Sequence, residues 1–549
     1  MHGGRVSMTH RWRHVLPWLG VATIVLVSLV ARLAHRGPYF AGWDLMGAAH
    51  GLNLVSTHGA WDAVVELWTK NRHYGAPFPY YSAIGALLPG TLSAFMPWDQ
   101  WAHVVTLTSF LATLALVVRA TGLSARDAWI VPLAWSASPT LLTLAVCGYP
   151  WATAFLPHAL ALCVVLDPRL YRRPVVSLLL ALLSIELAWH CYEPGKTVGA
   201  VFVAGAVLAP GAALSARLAW LAAGAAEVAL VFHYPSMNVG AYVTRAPYSV
   251  EGILEGLRIV ASMTFVQQYL DLPVLVAAGI LACLVPSRRR LMLALLMALQ
   301  IVMVAVVAVS FPGASHIRPR RFVMVDCYAL VLVALLVSDA AANGTRLLRL
   351  VRNTVVGLLV VGSAWQLVDL ARFVAIPLPR APGQFAFTLP YSQSQVDYMV
   401  SVEIVDWAEE LVGRVQRGER LVLVYNLDAY DENLTNPSGV LERLYLRVGH
   451  DTFVRSVLVF GSHPCRQSTC LPVRPLSELP AALDELRRGG AQALSGTTGY
   501  AVRHLQADGA VFLAERAQIL AALEERFELT WEGPAEARFR RFSLTPRRP

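Results

Sequence analysis

Charge is what this chain has least of. Only 15% of its 549 residues are Asp, Glu, Lys or Arg, against about 25% in a soluble domain. That shortage excludes an ordinary water-soluble globule over most of the length. Metal-binding cysteine spacing is also missing. Of seven cysteines, Cys147, Cys163, Cys191, Cys283 and Cys327 lie in or beside apolar runs and read as small apolar thiols. The chain has no internal repeat, and its C-terminal tail has no Gly-rich phosphate loop and no Ser-His-Asp signature. A P-loop nucleotide enzyme, a serine hydrolase of that pattern and a transporter built from repeated halves all lose support.

Long apolar runs are present instead. The chain is 56% hydrophobic, its mean hydropathy is +0.51, and runs near the ~20 residues needed to cross a bilayer recur as far as position 372. The fold class expected is an α-helical multi-pass membrane protein with a soluble α/β region at its C-terminal end. About eleven spans are expected, over 14–34, 102–119, 128–147, 152–167, 174–192, 196–212, 215–233, 273–286, 291–311, 322–339 and 353–372. No small-residue cleavage site follows the first span, which reads as an uncleaved anchor.

The basic residues orient these spans. Arg5, Arg11 and Arg13 place the N-terminus in the cytoplasm. Alternation then assigns Arg119–Arg126, Asp167–Arg173, Ala212–Arg217, Pro286–Arg290 and Ser338–Arg352 to the same side, and every one of these loops is basic. They absorb much of the +9 net charge, so a face for nucleic acid is not expected. The apolar stretch Tyr80–Pro97 reads as a re-entrant or interfacial helix, because a further span there would move the basic Arg119–Arg126 loop outside. The domain division expected is a membrane module over 1–375, with a first outer loop at 35–101, a linker over 376–394, and an extracytoplasmic α/β domain over 395–549. Cys465 and Cys470, both in the tail, form either a disulfide in an oxidising compartment or two free thiols.

Ionisable groups within spans are costly and mark function by default. Here they favour the outer half: Glu186, followed by His190 and Glu193 on one helical face, then Glu227, Asp326 and Asp369. They suggest a polar cavity open to the outside, unless they only pair to hold helices together. The first outer loop adds Asp44, Lys70 and Arg72. Arg318, Arg320 and Arg321 break the positive-inside trend. Guanidinium forks match phosphate oxygens, so an anionic lipid head group is the partner these arginines suggest, with snorkelling to ordinary membrane lipid as the alternative. None of the outer-face histidines stands four residues from another, and no protein-bound metal is expected.

In the tail, alternating elements predict an α/β domain: helix 395–416, strand Leu421–Tyr425, helix 437–448, strand Ser456–Phe460, helix Ser477–Arg488, strand Ala510–Leu513, helix Glu515–Arg526, and a hairpin of Phe527–Glu532 with Ala537–Leu544.

Several short motifs together resemble the GT-C superfamily of membrane glycosyltransferases, which includes protein mannosyltransferases and the aminoarabinose transferases of lipid A. They are the early Asp44, the stretch Gly75-Ala76-Pro77-Phe78-Pro79-Tyr80-Tyr81, the Ser136-Ala137-Ser138-Pro139 run in span three and Arg320-Arg321-Phe322 opening a late span. The resemblance implies transfer of a sugar from a polyprenyl-phosphate carrier to a lipid, glycan or protein acceptor at an integral inner-membrane site. Asp44 would be the base, and Lys196, Arg318, Arg320 and Arg321 would hold the carrier phosphate, with Lys70 or Arg72 sharing that task. Tyr80 and Tyr81 would line the cavity with Glu186, His190, Glu227 and Asp326. Many members carry a second carboxylate after span three, but Cys147-Gly148-Tyr149-Pro150-Trp151 has none. His158 or Glu193 would substitute, and no metal cofactor is implied. A non-catalytic member of this fold, or a flippase, stays open as an alternative.

Overall fold

The computed structural model describes residues 49, 52–59, 61–63, 65, 98–138, 140–141, 153–190, 196–233, 249–262, 274–310, 322–375, 402–424, 438–460, 472, 474–488, 494–499, 509–533 and 539–547. The membrane part is a helical bundle: α1 (Trp98–Thr121), α2 (Ile130–Ser136), α3 (Leu156–Leu166), α4 (Pro174–His190), α5 (Gly199–Leu208), α6 (Leu214–His233), α7 (Val250–Ser262), α8 (Val274–Ala282), α9 (Arg288–Ser310), α10 (Val323–Asn343) and α11 (Arg346–Ala375). Among the described residues, three helices are long and apolar enough to cross a membrane on length and composition: Arg288–Val306, Val323–Ala342 and Arg346–Gln366. Each span expected between 102 and 372 has a helix within it. The first span and Tyr80–Pro97 lie outside the described residues.

Burial sorts these helices. In α10, 89% of the apolar window is buried, against 44% in α9 and 33% in α11. Helix α10 packs against α1, α2, α8, α9 and α11 and forms the axis of the bundle. The outer helices leave Leu179, Leu183, Val207, Leu218, Leu295 and Val361 exposed. An apolar belt of this kind suits lipid, whereas in water it would be an aggregation liability.

Two elements differ from expectation within this part. Span three is not one continuous helix. Helix α2 stops at Ser136, and helical backbone resumes at Thr140. The sequence places Pro139 at the break, where a missing N–H and a ring clash interrupt the ladder. The Leu141 N–H donates instead to Ser138 Oγ at 3.1 Å, a side-chain cap on the second segment. Helix α7 is the other difference, because the sequence pattern predicted only a loop between spans seven and eight. Val260 is buried against Val304 and Ala305 of α9, while Val250 and Leu254 are exposed, the two-faced pattern of a helix lying along a membrane surface.

A chain of contacts places the basic loops on one face. Arg119 Nε donates to Asp167 Oδ2 at 2.9 Å. The Tyr171 hydroxyl reaches the Pro210 carbonyl at 3.5 Å. Ser338 Oγ donates to the Gly122 carbonyl at 3.3 Å, and Arg290 pairs with Asp339 at 3.4 Å. Arg217 also closes the end of α5, donating to the carbonyls of Ala206 and Ala209, where helical carbonyls otherwise lack partners. Segments far apart in sequence therefore share one end of the bundle.

The C-terminal residues form a five-stranded sheet in the order β2-β1-β3-β5-β4. Its strands are β1 (Arg420–Val424), β2 (Val457–Val459), β3 (Leu494–Gly499), β4 (Phe527–Glu532) and β5 (Phe539–Pro546). Strand β1 pairs in parallel with β2 and β3, whereas β5 is antiparallel to β3 and β4. Alternation along β1 splits the core. Leu421 and Leu423 join α12 (Val402–Gln416), α13 (Ser438–Val448) and α14 (His450–Ser456), while Val422 and Val424 join α15 (Leu479–Arg488) and α16 (Gly509–Arg526). A strand covered on both faces reads as an unbroken apolar run, which is why this one is visible in the sequence.

Two tail expectations are corrected. Ala510–Leu513 is not a strand but the first turns of α16, a continuous helix from Gly509; a four-residue apolar run does not distinguish a strand from the end of a buried helix. The third strand is instead Leu494–Gly499, whose sequence, Leu-Ser-Gly-Thr-Thr-Gly, carries no alternating apolar signal. The hairpin of β4 and β5 forms as expected, with Gly533 in its turn at φ 82, a conformation that L side chains rarely adopt.

Residues near the start of the chain belong to the tail's core. Ala49 is buried among Trp407, Leu441, Tyr445 and Phe453, with Leu52 packed against them. The Tyr445 hydroxyl lies 2.9 Å from His450 Nδ1 and 3.5 Å from Asn53 Oδ1. Burial, reinforced by the Asp451 charge and opposed by a hydrogen bond with Ser56, pushes this phenol above its ordinary range. It is therefore a neutral hydroxyl at physiological pH.

Two predictions follow from this packing. At Gly279 of α8, an added Cβ would stand 2.8 Å from the Ala329 Cβ and 2.9 Å from its Cα, so Gly279→Ala forces α8 off α10 and costs about 1–3 kcal/mol. Gly357→Ala, with nothing within 4 Å, is the neutral control, and equal thermal midpoints in detergent for the two variants would refute the close approach. Tyr445→Phe removes a buried hydroxyl worth about 1 kcal/mol, so hydrogen exchange at residues 52–58 should quicken about fivefold while α10 is unchanged; equal protection in wild type and variant would break the link between this segment and the tail.

Candidate functional site

Three buried polar side chains of the bundle, Asp326, His158 and Glu227, lie toward the end opposite the basic loops. Asp326 is the fourth residue of α10 and is only 5% exposed. Its Oδ2 accepts from Ser138 Oγ at 2.7 Å. Thr140 supplies a second side-chain hydrogen bond. The break in span three makes this possible, because it frees Ser138 from a regular helical turn and directs the resumed helix's first turn at a carboxylate. Negative charge is favoured at a helix N-terminus.

Two residues on, Tyr328 faces another side of α10, since residues i and i+2 do not share a helical face. Its hydroxyl lies 2.7 Å from His158 Nδ1 on α3. Phe155 packs edge-on against the same phenol, its ring centroid 5.4 Å away. His158 and Tyr328 are fully buried. His158 is thus held by the core through Tyr328, a partner that the sequence did not reveal.

Glu227 on α6 is the third group, 5% exposed. Its Oε2 accepts the backbone N–H of Gly199, the first residue of α5, and Val198 contributes a further backbone hydrogen bond. Any Cβ at Gly199 would collide with this carboxylate, so a glycine is required there by the close approach. Glu227 also lies within electrostatic reach of Tyr328. Just before α5, Lys196 sits over the Trp189 ring at 5.1 Å, and Gln300 of α9 donates to Thr197 Oγ1 at 2.8 Å.

The structure brings together His158, Glu227 and, through the neighbouring turn, Lys196. Asp326 stands on the other side of α10, bonded to span three. Glu186 is partly buried on α4. His190 is the last residue of α4, and nothing is described of its side chain. Asp44, Lys70, Arg72, Tyr80, Tyr81, Glu193, Arg318, Arg320, Arg321, Cys465 and Cys470 lie outside the described residues. Among the described residues, no group of three His, Cys, Asp or Glu is arranged to hold a metal.

No protein-family model matches the sequence, and no curated protein matches it. Comparison with solved structures finds a crystal structure of ArnT from Cupriavidus metallidurans bound to undecaprenyl phosphate. The TM-score is 0.50 at 12% identity, and the match covers 96% of this chain and 97% of that one. The chain shares the overall fold of that structure. An end-to-end match at so low an identity means that the same fold is built here with almost wholly different side chains. It is a helical multi-pass membrane fold, in keeping with the exposed apolar belt.

Sequence reading passed over Tyr328 and valued Ser138 only as a small residue. One signal was present: Tyr328 is the only tyrosine of α10, and a phenol at the centre of an apolar helix needs a partner. Ser138→Ala removes the donor to Asp326 and the cap on Leu141 together. It should lower stability by about 2 kcal/mol, and Ser138→Thr should restore most of it. A thermal midpoint in detergent that is the same for wild type and Ser138→Ala would show that this bond is not made.

Proposed function

We propose that this protein is a GT-C-type glycosyltransferase that moves a sugar from a polyprenyl-phosphate carrier to an acceptor at the outer face of the inner membrane. The observation that carries the reading is the full-length likeness to a fold crystallised with undecaprenyl phosphate. The chain's own asymmetry supports it, with basic loops tied together at one end and Asp326, His158, Glu227 and Lys196 at the other. In this reading about eleven spans cross the bilayer, the N-terminus is cytoplasmic, and the α/β domain over 395–549 stands outside with the first loop. Residues 49 and 52, which pack into the tail's core, sit where that arrangement needs them.

The chemistry assigned is a displacement at the anomeric carbon. The Asp44 carboxylate takes the proton of the acceptor hydroxyl. The acceptor oxygen bonds to the anomeric carbon as the bond from that carbon to the phosphate oxygen breaks. The leaving polyprenyl phosphate keeps the electron pair. Arg318, Arg320, Arg321 and Lys196 neutralise its growing charge, with Lys70 or Arg72 assisting. His158 and Glu193 are the residues available to stand in for the carboxylate absent after span three. His158 is already engaged by Tyr328, which favours a role in orienting rather than in exchanging protons. The acceptor is a lipid, glycan or protein, and no metal is assigned a part.

The test is transfer from radiolabelled polyprenyl-phosphate sugars by the purified protein, comparing wild type with Asp44→Asn. Loss of a general base costs about 100- to 10,000-fold. Transfer by Asp44→Asn at the wild-type rate would remove Asp44 from this role. Failure of the wild type with every carrier would leave a non-catalytic member of the fold, and net movement of the lipid across a vesicle wall would point to a flippase.

A further inference from the structure

Among the described residues, Glu227 is the one carboxylate at this end with an oxygen left without a hydrogen-bond partner. Oε2 takes the N–H at the start of α5. Oε1 is buried and has no hydrogen-bond partner among the described residues. Asp326, equally buried, differs: Ser138 and Thr140 serve it, and neither of its oxygens is left buried without a partner. Two features argue against Glu227 being only a helix cap. A serine or threonine next to α5 would cap it without placing a carboxylate in an apolar bundle, where an unpaired acceptor costs about 1–3 kcal/mol or more. Further, Gly199 gives up its side chain to admit this carboxylate, and a backbone N–H leaves one oxygen over. A buried carboxylate oxygen with open lone pairs requires a donor.

We propose that Glu227 Oε1 receives a hydrogen bond from the sugar of the carrier-linked substrate, so that Glu227 selects for a sugar with a donor group, hydroxyl or amino, at one ring position. This rests on the transferase reading. The surroundings fit a sugar better than a phosphate. An acidic oxygen repels the phosphate, whereas a sugar hydroxyl or amino group supplies the donor that Oε1 lacks. Glu227 would thus be a specificity residue, acting on the sugar and not on the leaving group.

The experiment uses the full-length protein in lipid nanodiscs and three probes: undecaprenyl phosphate, undecaprenyl phosphoryl mannose and undecaprenyl phosphoryl glucosamine. Wild type and Glu227→Gln are compared by dissociation constant, and thermal midpoints check the fold. Glutamine keeps an oxygen for the Gly199 N–H and turns an NH2 toward the ligand, donor against donor. Glu227→Gln should bind a sugar-bearing probe about 10- to 100-fold more weakly and bare undecaprenyl phosphate within about twofold of wild type. A larger loss with the amino sugar than with mannose assigns the donor as an ammonium group, since hydrogen bonds between charged groups are roughly twice as strong; an equal loss assigns a hydroxyl. Equal weakening of all three probes, or none, overturns the proposal and makes Glu227 a helix cap alone. Should wild type bind bare carrier and sugar-bearing carrier alike, the inference fails while the carrier reading stands. Binding of no probe by wild type overturns both.

Discussion

The arrangement depends on one constraint: α10 is buried along most of its length and carries Asp326 and Tyr328, which must be satisfied without water, with the half-buried Ser338 and Asp339 bonded at its far end. Each finds its partner on a different segment. Asp326 takes Ser138 beside α2, Tyr328 takes His158 on α3, Ser338 takes the Gly122 carbonyl beyond α1, and Asp339 takes Arg290 on α9. A buried polar group left alone costs about 1–3 kcal/mol even by conservative measures, so a helix that slid or turned by one residue would break all four together. Apolar packing between helices in lipid has little directional preference. These four bonds supply the direction, fixing the rotation and depth of the axial helix and hence the positions of the helices around it.

The pattern also explains what was and was not legible in the sequence. Hydropathy finds spans because each crossing segment must be apolar over about 20 residues, and helices appear inside the expected spans between 102 and 372. Charge in the loops showed which ends belong together, and the contacts of Arg119, Tyr171, Ser338 and Arg290 join those ends. What escaped was set by tertiary context. Strand β3 has no apolar alternation because it takes its place between β1 and β5 by backbone pairing. Helix α7 is half exposed and too polar to score as a span. The run Ala510–Leu513 became helix because the apolar positions that follow it, Ile519 and Leu523, complete a helical face against the sheet.

The site was legible as a tendency rather than as a set of contacts. Costly groups clustered toward one end of the spans, and that much follows from composition and order alone. Which groups are structural and which are free for a ligand depends on partners more than 100 residues away, such as the 170 residues between His158 and Tyr328 or the 392 between Asn53 and Tyr445. The second of these joins the start of the chain to its tail. Ala49 and Leu52 are thus part of the tail's core, which ties a segment near the start of the chain to the C-terminal sheet.

An oxygen left without a partner separates the two buried carboxylates more sharply than burial does. Asp326 and Glu227 are equally enclosed, at 5% exposure each, and each stands at the start of a helical segment. Had both been selected only to stabilise the bundle, each would be expected to show a full set of donors, since the cost of an unmade hydrogen bond falls on stability with no return. Asp326 meets that expectation through Ser138 and Thr140. Glu227 also has two donors, the backbone N–H groups of Gly199 and Val198, but its Oε1 has no hydrogen-bond partner among the described residues. The two buried carboxylates thus divide into one bonded to two side chains of another segment and one with an oxygen that no described residue engages.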